Sequence, residues 1–463
     1  MNYLIVILSF KSAPFSHLLN SHDSSMFMYF GSGMKSGLVP YNDMFDHKGI
    51  ILFLIQELGA FLGGNNVSTG IWILELIFYS ITLAFIFKIA YSLTGNAIAT
   101  GFSIFIYTGL ILNTLTNGNF SEEFALLFIV VALDLFIKEM YATSHFRLFF
   151  IGATGGLVFF MRANLVSLWL VFCLYFLFQD LLEKSHQRLA NRIGWIFLGG
   201  LTICLAVVLY GLSEHNLHSM FYQTFILNSQ YSSATNIRTI AITARQFCAL
   251  FLRTGLAVPI LLLVICFELQ KKKLDQRMTT LIHLFFGYLI IDFLTVVMSG
   301  RYYPHYFITM LPILIIMTAI GFSLFKELIP QRRINFIMYF GVLLLSLTGT
   351  MTSFKEFVKP VVFDQNKSEF QALQKKQAKY IQVHSTKNSS IYVHNIDANI
   401  YLLSERFSNS KYFVLPSIDY RNFPSISLDF QKAMDDNPPK FISILKSNYD
   451  ETNPDNSKLN SKQ

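Results

Sequence analysis

Acidic, basic and aromatic residues are concentrated between His22 and Gly49, more densely than a loop needs in order to be soluble. Asp23 opens this stretch, and a cluster of charged residues closes it: Asp43, Asp46, His47 and Lys48. A carboxylate here can take a proton from a hydroxyl group as a general base, or hold a divalent cation such as Mg²⁺ or Mn²⁺ against a phosphate. His47 and Lys48 can supply positive charge to the same phosphate. The alternative is a headgroup-facing loop whose charges are only solvated.

A second polar element, Gly300-Arg-Tyr-Tyr-Pro-His-Tyr306, interrupts a long apolar region. Arg301 can donate two hydrogen bonds to phosphate oxygens, and His305 lies four residues later, on the same face if the helix begins early. A fixed cation stabilises a leaving phosphate selectively, because the phosphate gains charge as the bond to it breaks. The alternative is an interfacial aromatic belt, with Tyr302, Tyr303 and Tyr306 at headgroup level and Arg301 snorkelling.

Other polar residues lie where apolar segments begin or meet. Arg162 and Asn164 separate two apolar segments, and an ionisable group in such a place is a candidate site residue. The alternative is an arginine that only forms the turn. Glu122 and Glu123 are predicted to start a helix through capping and the helix dipole, and the alternative is that an outer cavity uses one of them.

The composition places these residues in a membrane protein. Of 463 residues, 53% are hydrophobic and only 14% are charged, whereas about a quarter of the residues of a soluble protein are charged. Several apolar runs reach the ~20 residues that cross a ~30 Å hydrocarbon layer as a helix. The sequence therefore excludes a soluble enzyme, a disordered scaffold and a nucleic-acid-binding domain, and it predicts contact with membrane lipids.

The apolar segments predict about 11 transmembrane helices, ten of them clearly delimited. The first helix is uncertain, because Leu4 to Phe10 is short and is followed by Lys11 and Pro14, so either this helix is thin or the true start lies upstream. The ten delimited spans lie near 70-91, 97-113, 121-140, 147-161, 163-181, 193-213, 246-268, 279-299, 304-325 and 334-353.

Basic residues in alternate connections predict the orientation of the chain. One set of connections holds twelve Lys and Arg residues and the other set holds six. The richer side is expected to be cytoplasmic. The loop 16-62, the connection 214-245, the turn at Arg301 and the tail after 353 are then expected outside.

The tail is polar from about residue 364, with short strand-like runs between helical stretches. A helix is predicted over Ser368-His384, and the candidate strands are Ser390-His394, Lys411-Leu415 and Lys440-Leu445. This alternation favours a partly parallel sheet. We therefore predict a transmembrane catalytic domain over 1-353 and a small extracytoplasmic α/β domain over 354-463, with a frayed end from Asn448 to Gln463.

Asp23-Ser-Ser and Tyr41-Asn-Asp-Met-Phe-Asp-His-Lys-Gly49 together resemble the first outer loop of GT-C glycosyltransferases. The likeness is to the bacterial branch related to protein O-mannosyltransferases and to the aminoarabinose transferase that modifies lipid A. In those proteins an acidic residue after the first span and a second one in a Phe-acid-x-Lys element line the catalytic cavity. The matching residues here are Asp23, and Asp46 with Lys48. Many members carry a paired acidic motif at the first position, whereas Asp23 is followed by two serines, which leaves it a single candidate base. The Gly300 to Tyr306 element is similar to an Arg-x-x-x-His-Tyr element of the same family.

The resemblance implies a polytopic α-helical fold of the GT-C type and a glycosyltransferase. Such an enzyme would move a sugar from a polyprenyl-phosphate carrier, with inversion, to a glycan, lipid or protein acceptor at the outer face of the bacterial cytoplasmic membrane. We expect Asp23 and Asp46 to be catalytic. The expected substrate-binding residues are Asp43, His47, Lys48, Arg162, Arg301, Tyr302, His305 and Tyr306. No cofactor is certain, and a Mg²⁺ or Mn²⁺ requirement stays open.

A transporter or flippase of lipid-linked saccharides is the main alternative, and a polysaccharide polymerase is another. A transporter is expected to show internal repeats and broken helices at mid-membrane. The sequence shows no clear repeat and no paired Gly or Pro interruptions, and its ionisable residues are concentrated at the predicted outer face. These features favour the glycosyltransferase.

Overall fold

The computed structural model describes residues 1–229, 236–363, 368–394, 396–415 and 423–444, and the protein is mostly helical. Short 3₁₀ or π turns cover Ala163–Leu165, Tyr222–Leu227, Pro304–Met310 and Phe354–Val358. The α-helices are Asn2–Ile7, His22–Lys35, Ile50–Gly63, Val67–Thr94, Ala97–Ile106, Thr108–Leu115, Ser121–Glu139, His145–Phe159, Ser167–Leu182, His186–Ser213, Leu217–Phe221, Ile237–Arg253, Ala257–Gln270, Gln276–Met298, Leu311–Leu328, Arg332–Ser353, Lys359–Val362, Glu369–His384, Asn399–Ser404 and Pro424–Asp436.

Five helical segments are long and apolar enough to cross a membrane. They correspond to five of the ten delimited spans. Two more predicted spans, 97-113 and 246-268, are pairs of helices joined by bends of 44° and 87°. The described residues therefore contain at most seven such spans, and the predicted count of about 11 is not confirmed. The five segments are Val67–Thr94, His186–Ser213, Gln276–Met298, Pro304–Leu328 and Arg332–Val362.

The sharper bend has a backbone cause. It lies between Arg253 and Ala257, where Gly255 has a φ of 74°. This left-handed conformation is readily adopted only by glycine, and a Cβ atom there would lie 3.0 Å from the carbonyl oxygen of Leu345. The predicted span over 246-268 therefore corresponds to two helices separated by a sharp bend.

One compact unit comprises Met1–Phe10, Leu74–Val207 and Ala234–Phe363. The segment Pro304–Leu328 forms its core, because 94% of its most apolar window is buried, whereas 11% of the window of His186–Ser213 is buried. A helix that is apolar on all sides and buried within the protein is typical of the centre of a helical unit. The exposed apolar side chains of His186–Ser213, such as Phe197 and Leu209, suit contact with lipid.

The second compact unit comprises Lys11–Ile73, Val208–Ser233 and Asp364–Gln463, so it combines the predicted outer loop with the tail. The helices His22–Lys35 and Ile50–Gly63 pack through Phe30 and Phe53, whose rings stack 3.9 Å apart. The strands Ile391–His394 and Phe441–Ile444 pair in parallel, with Ile391 opposite Phe441.

The predicted strand Lys411-Leu415 is an irregular turn segment. Its backbone groups bond outside any sheet: the carbonyl of Lys411 accepts from the amide of Phe45 at 2.9 Å, and the amide of Tyr412 donates to the Ser410 hydroxyl at 3.2 Å. The apolar pattern of this run reflects burial instead, since Phe413 stacks on Tyr29 with ring centroids 4.1 Å apart. The predicted frayed end, Asn448 to Gln463, lies outside the described residues.

Candidate functional site

Asp23 lies in the first turn of the helix His22–Lys35, which begins after the N-cap residue Ser21. The helix is fixed at this end, because the Ser25 hydroxyl donates to the His22 carbonyl at 2.8 Å and accepts from the Ala398 amide at 3.1 Å. The carboxylate of Asp23 is half-buried and makes no hydrogen bond or ion pair within the described residues. It is therefore available to a substrate.

A tight turn before Asp46 presents the charged cluster. Tyr41 has a φ of 68°, and its amide donates to the carbonyl of Met44 at 2.8 Å. The exposed carboxylate of Asp43 accepts from the amide of Val39 at 2.7 Å, a bond within the turn that is typical of aspartate. Asp43 thus stabilises the loop.

Two buried side chains hold this turn from the segment 216–223. Asn216 donates to the carbonyl of Pro40 at 3.0 Å. Gln223 donates from Nε2 to the carbonyl of Tyr41 at 2.7 Å and accepts from the amide of Asp46 at its Oε1, at 3.3 Å. The hydroxyl of Tyr41 closes the loop by donating to the carbonyl of Lys48 at 2.8 Å. Burial, reinforced by the charge of Asp46, raises the pKa of Tyr41, so its hydroxyl stays protonated as a donor.

Asp46, His47 and Lys48 lie together. Asp46 is only 4% exposed, and its Oδ1 accepts from the amide of Lys48 at 2.8 Å. The same oxygen lies 3.7 Å from His47 Nδ1, and Lys48 Nζ lies 3.0 Å from His47 Nε2. A fixed carboxylate thus lies next to two side chains that can carry positive charge, an arrangement that can orient a hydroxyl and bind a phosphate oxygen.

In the other compact unit, a left-handed turn leads into the helix Ser121–Glu139. Residues 116–119 all have positive φ. Gly118 is required there, because a Cβ atom would lie 2.2 Å from Oε1 of Glu75. Glu123 reaches back to the turn and accepts from the amides of Asn119 and Phe120 at 2.7 and 3.4 Å. The predicted capping function is thus performed by Glu123.

Glu122 has a different partner. Its Oε1 forms a salt bridge with Arg162, and its Oε2 accepts from the Ser121 hydroxyl at 2.8 Å. The guanidinium of Arg162 also lies over the ring of Tyr306, 4.4 Å from the centroid. A cation in contact with both a carboxylate and an aromatic face is held in one orientation. The structure therefore brings Arg162 and Tyr306 together and adds Glu122, which the sequence had assigned to capping.

His305 extends this cluster. Its ring stacks on Phe120 at 4.0 Å and meets the ring of Tyr306 edge-on at 4.8 Å. The helical turn begins at Pro304, so Arg301 lies before it in an exposed segment, and the expected i, i+4 relation between Arg301 and His305 does not form. Tyr302 instead packs on Phe247 at 4.9 Å.

Within the described residues, no group of three or more His, Cys, Asp or Glu side chains is placed to hold a metal ion. Mg²⁺ is commonly bound by one or two carboxylates completed by substrate phosphates and water. Asp46 fits such a partial ligand set, with the substrate supplying the rest.

Three contacts of these clusters were not predicted from the sequence. Gln223 gave no signal, because a buried glutamine in an amphipathic segment has no local pattern. Glu122 did give one, since a carboxylate at a helix start and an arginine between two apolar segments are natural partners. Tyr41 was part of the quoted motif, but its positive φ has no signature in a tyrosine.

A family model described as "Putative competence-induced protein Ccs4 N-terminal domain" matches residues 1–336. The fold is similar to that of ArnT from Cupriavidus metallidurans bound to undecaprenyl phosphate, with a TM-score of 0.64 and 12% identity over 93% of this chain and 87% of that one. It is also similar to the apo state of ArnT, with a TM-score of 0.59 and 12% identity over 88% of this chain and 83% of that one. No curated protein sequence matches the chain. The resemblance to GT-C proteins is thus confirmed at the level of fold.

Proposed function

Because the chain belongs to the family of putative competence-induced protein Ccs4 N-terminal domains and shares the fold of ArnT, we propose that it is a membrane glycosyltransferase. In the proposed reaction a sugar leaves a polyprenyl-phosphate carrier and is transferred, with inversion, to a hydroxyl group of a glycan, lipid or protein. The bond between the anomeric carbon and the carrier phosphate breaks, and the acceptor oxygen bonds to that carbon. The hydroxyl proton passes to a carboxylate. The reaction is proposed to occur at the outer face of the bacterial cytoplasmic membrane.

The observation that carries this proposal is the likeness to ArnT over 93% of the chain, in a structure where that protein binds undecaprenyl phosphate. Since a fold hosts more than one chemistry, the proposal also needs suitable side chains. A leaving phosphate is stable as an anion and needs no acid to protonate it. The required groups are therefore cations for the phosphate and a carboxylate for the acceptor.

The proposed base is Asp23, with Asp46 as the second carboxylate. Asp23 suits proton transfer because no group in the described structure occupies its oxygens. Asp46 suits positioning of the acceptor because the Lys48 amide and Gln223 fix it. His47 and Lys48 are proposed to bind phosphate, and Asp43 to shape the loop.

The cluster around Arg162 is the second proposed phosphate-binding group. Arg162, His305 and Tyr306 are in contact through ring and cation–π interactions. Arg301 and Tyr302 are proposed to bind the substrate from the preceding exposed segment.

A transporter of lipid-linked saccharides is the second candidate, because the helix pairs bent by 44° and 87° are a feature of transporters. The two functions differ in one bond. A transferase cleaves the link between sugar and phosphate, whereas a transporter moves the intact molecule.

Membrane vesicles supplied with radiolabelled polyprenyl-phosphate sugars and a mixture of envelope acceptors test the proposal. We expect the wild-type protein to release carrier phosphate, and Asp23→Asn and Asp46→Asn to lower that rate at least about 100-fold, the usual effect of losing a general base or an oriented polar group. Asp429→Asn is the matched control, because Asp429 is 52% exposed and, among the described residues, pairs with Lys411 and Tyr412. Equal release by all four proteins would refute the catalytic assignment. Label that crosses the bilayer with its glycosyl bond intact would identify a transporter.

A further inference from the structure

The second compact unit contains a cavity of about 820 Å³. Its wall is formed by residues 11–20, by one face of the helix His22–Lys35, by residues 64–68, and by Lys375, Lys387 and residues 399–407. A volume of this size is typical of a ligand-binding site. None of the charged residues proposed for catalysis is among the described residues that line it, so the cavity would hold a part of a substrate away from the reacting atoms.

The wall of this cavity is positively charged. Among the described residues that line it, the basic ones are Lys11, Lys35, Lys375, Lys387 and Arg406, and the acidic one is Glu405. Lys35 donates to the carbonyl oxygens of Ala60 and Gly64 at 3.0 and 2.6 Å. Arg406 donates to four backbone carbonyls and to the Ser385 hydroxyl, at 2.9 to 3.3 Å. These partners satisfy the N–H groups without cancelling the charge.

Lys11 and Lys387 have no hydrogen bond or ion pair with the described residues. Lys387 is exposed and Lys11 is half-buried. Burial lowers the pKa of Lys11, since an ammonium group without a counterion loses hydration. An anion in the cavity would offset that loss.

The remaining wall is rich in small amides and hydroxyls, among them Asn20, Asn66, Asn399, Ser32 and Ser36. Such groups both donate and accept hydrogen bonds, as the hydroxyls of a sugar do. Cations for anionic groups and amides for hydroxyls are therefore combined in one cavity.

We propose that this cavity binds a glycan that carries phosphate groups, and that this glycan is the acceptor of the transfer reaction. Phosphate is favoured as the anion because several separate lysines bind it as point charges. The acceptor assignment rests on the proposed function, whereas binding can be measured independently of any transfer.

Calorimetry of the full chain in lipid nanodiscs tests the binding. The probes are a phosphorylated oligosaccharide, its dephosphorylated form and inorganic phosphate. We expect the phosphorylated form to bind most tightly, and Lys11→Gln with Lys387→Gln to weaken it about tenfold or more, because each substitution removes a charge-assisted hydrogen bond to phosphate. Lys376→Gln with Lys379→Gln is the control with the same change of charge, at exposed positions off the cavity, and should change affinity less than about twofold. Lys387→Arg should retain binding.

Equal weakening by the two pairs, or equal binding of the phosphorylated and dephosphorylated forms, would overturn the site. If inorganic phosphate bound as tightly as the glycan, the cavity would be a simple anion site and the proposed glycan site would be wrong. In the transfer assay the cavity pair should raise the KM for the acceptor and leave kcat unchanged; an unchanged KM would overturn the acceptor assignment. Failure of the proposed function has a different signature, because the wild-type protein would then release no carrier phosphate while calorimetry still reported on the cavity.

Discussion

Gln223 is predicted to hold the charged loop in place, and Gln223→Leu tests this. The side chain is 5% exposed and connects two backbone groups, the carbonyl of Tyr41 at 2.7 Å and the amide of Asp46 at 3.3 Å. Leucine has a similar size, so the substitution removes both hydrogen bonds and preserves packing. The two buried backbone groups lose their partner.

The expected cost follows from those two groups. An unsatisfied buried donor or acceptor costs about 1–3 kcal/mol. The bond to Asp46 is long, so a total of about 2–3 kcal/mol is reasonable, and it is concentrated in the turn. Local opening would become about 30- to 150-fold more frequent at 1.4 kcal/mol per tenfold.

Hydrogen exchange followed by mass spectrometry measures this opening. Peptides covering residues 40–48 should exchange about 30- to 150-fold faster in Gln223→Leu than in the wild-type protein, and carrier-phosphate release should fall with them. Gln382→Leu is the control, because its side chain is exposed. Unchanged exchange in 40–48, or an equal change in the control, would show that the turn does not depend on Gln223.

Three further predictions concern single residues. Arg162→Lys should lower the melting temperature by an amount equivalent to about 1–2 kcal/mol, because lysine keeps the charge opposite Glu122 but loses the planar contact with an aromatic ring; an unchanged melting temperature would mean that the stacked geometry adds nothing. Gly255→Ala should cost about 1–2 kcal/mol in thermal unfolding because of its positive φ, whereas Gly341→Ala, in a helix interior where a Cβ would meet no atom within 4 Å, should stabilise by up to about 1 kcal/mol; equal effects would exclude strain at the bend. Burial lowers the pKa of His394, so the unfolded state binds its proton more readily and stability should fall as pH decreases below about 6.5. The fall should be smaller in His394→Gln, and an identical pH profile would exclude His394 as its source.

The membrane character of the chain and the position of the charged loop could be predicted because both depend on local composition. A run of apolar residues such as Leu311–Leu328 must be buried or face lipid, whatever its neighbours are. The loop was proposed as a site for a related reason. A loop does not need Asp43, Asp46, His47 and Lys48 together in order to be soluble. What local composition could not give is the course of the backbone. Gly255 and Tyr107 look like ordinary members of apolar runs, yet the helices break at or beside them.

The strand predictions failed where burial and sheet pairing give the same pattern. Ile391–His394 and Lys411–Leu415 both alternate or cluster apolar residues, and only the first finds a parallel partner. The aromatic residues Tyr412 and Phe413 occur in this run because they pack against other rings, including Tyr29 and Phe45. A short apolar run therefore predicts burial reliably and strand pairing only when a partner run exists.

The pair Glu122 and Arg162 shows how a rule based on neighbouring residues can conceal a contact between residues that are distant in sequence. Two carboxylates at the start of a helix satisfy the capping rule equally well, but adjacent residues on a helix face different directions, so they cannot both reach back to the preceding turn. Glu123 takes that position, which directs Glu122 elsewhere, and burial then requires a cation for it. Arg162 is therefore neutralised in the described structure. Under the proposed function, a carrier phosphate that binds Arg162 must compete with Glu122 or share the guanidinium with it, so we predict that the cluster prefers a strongly charged phosphate.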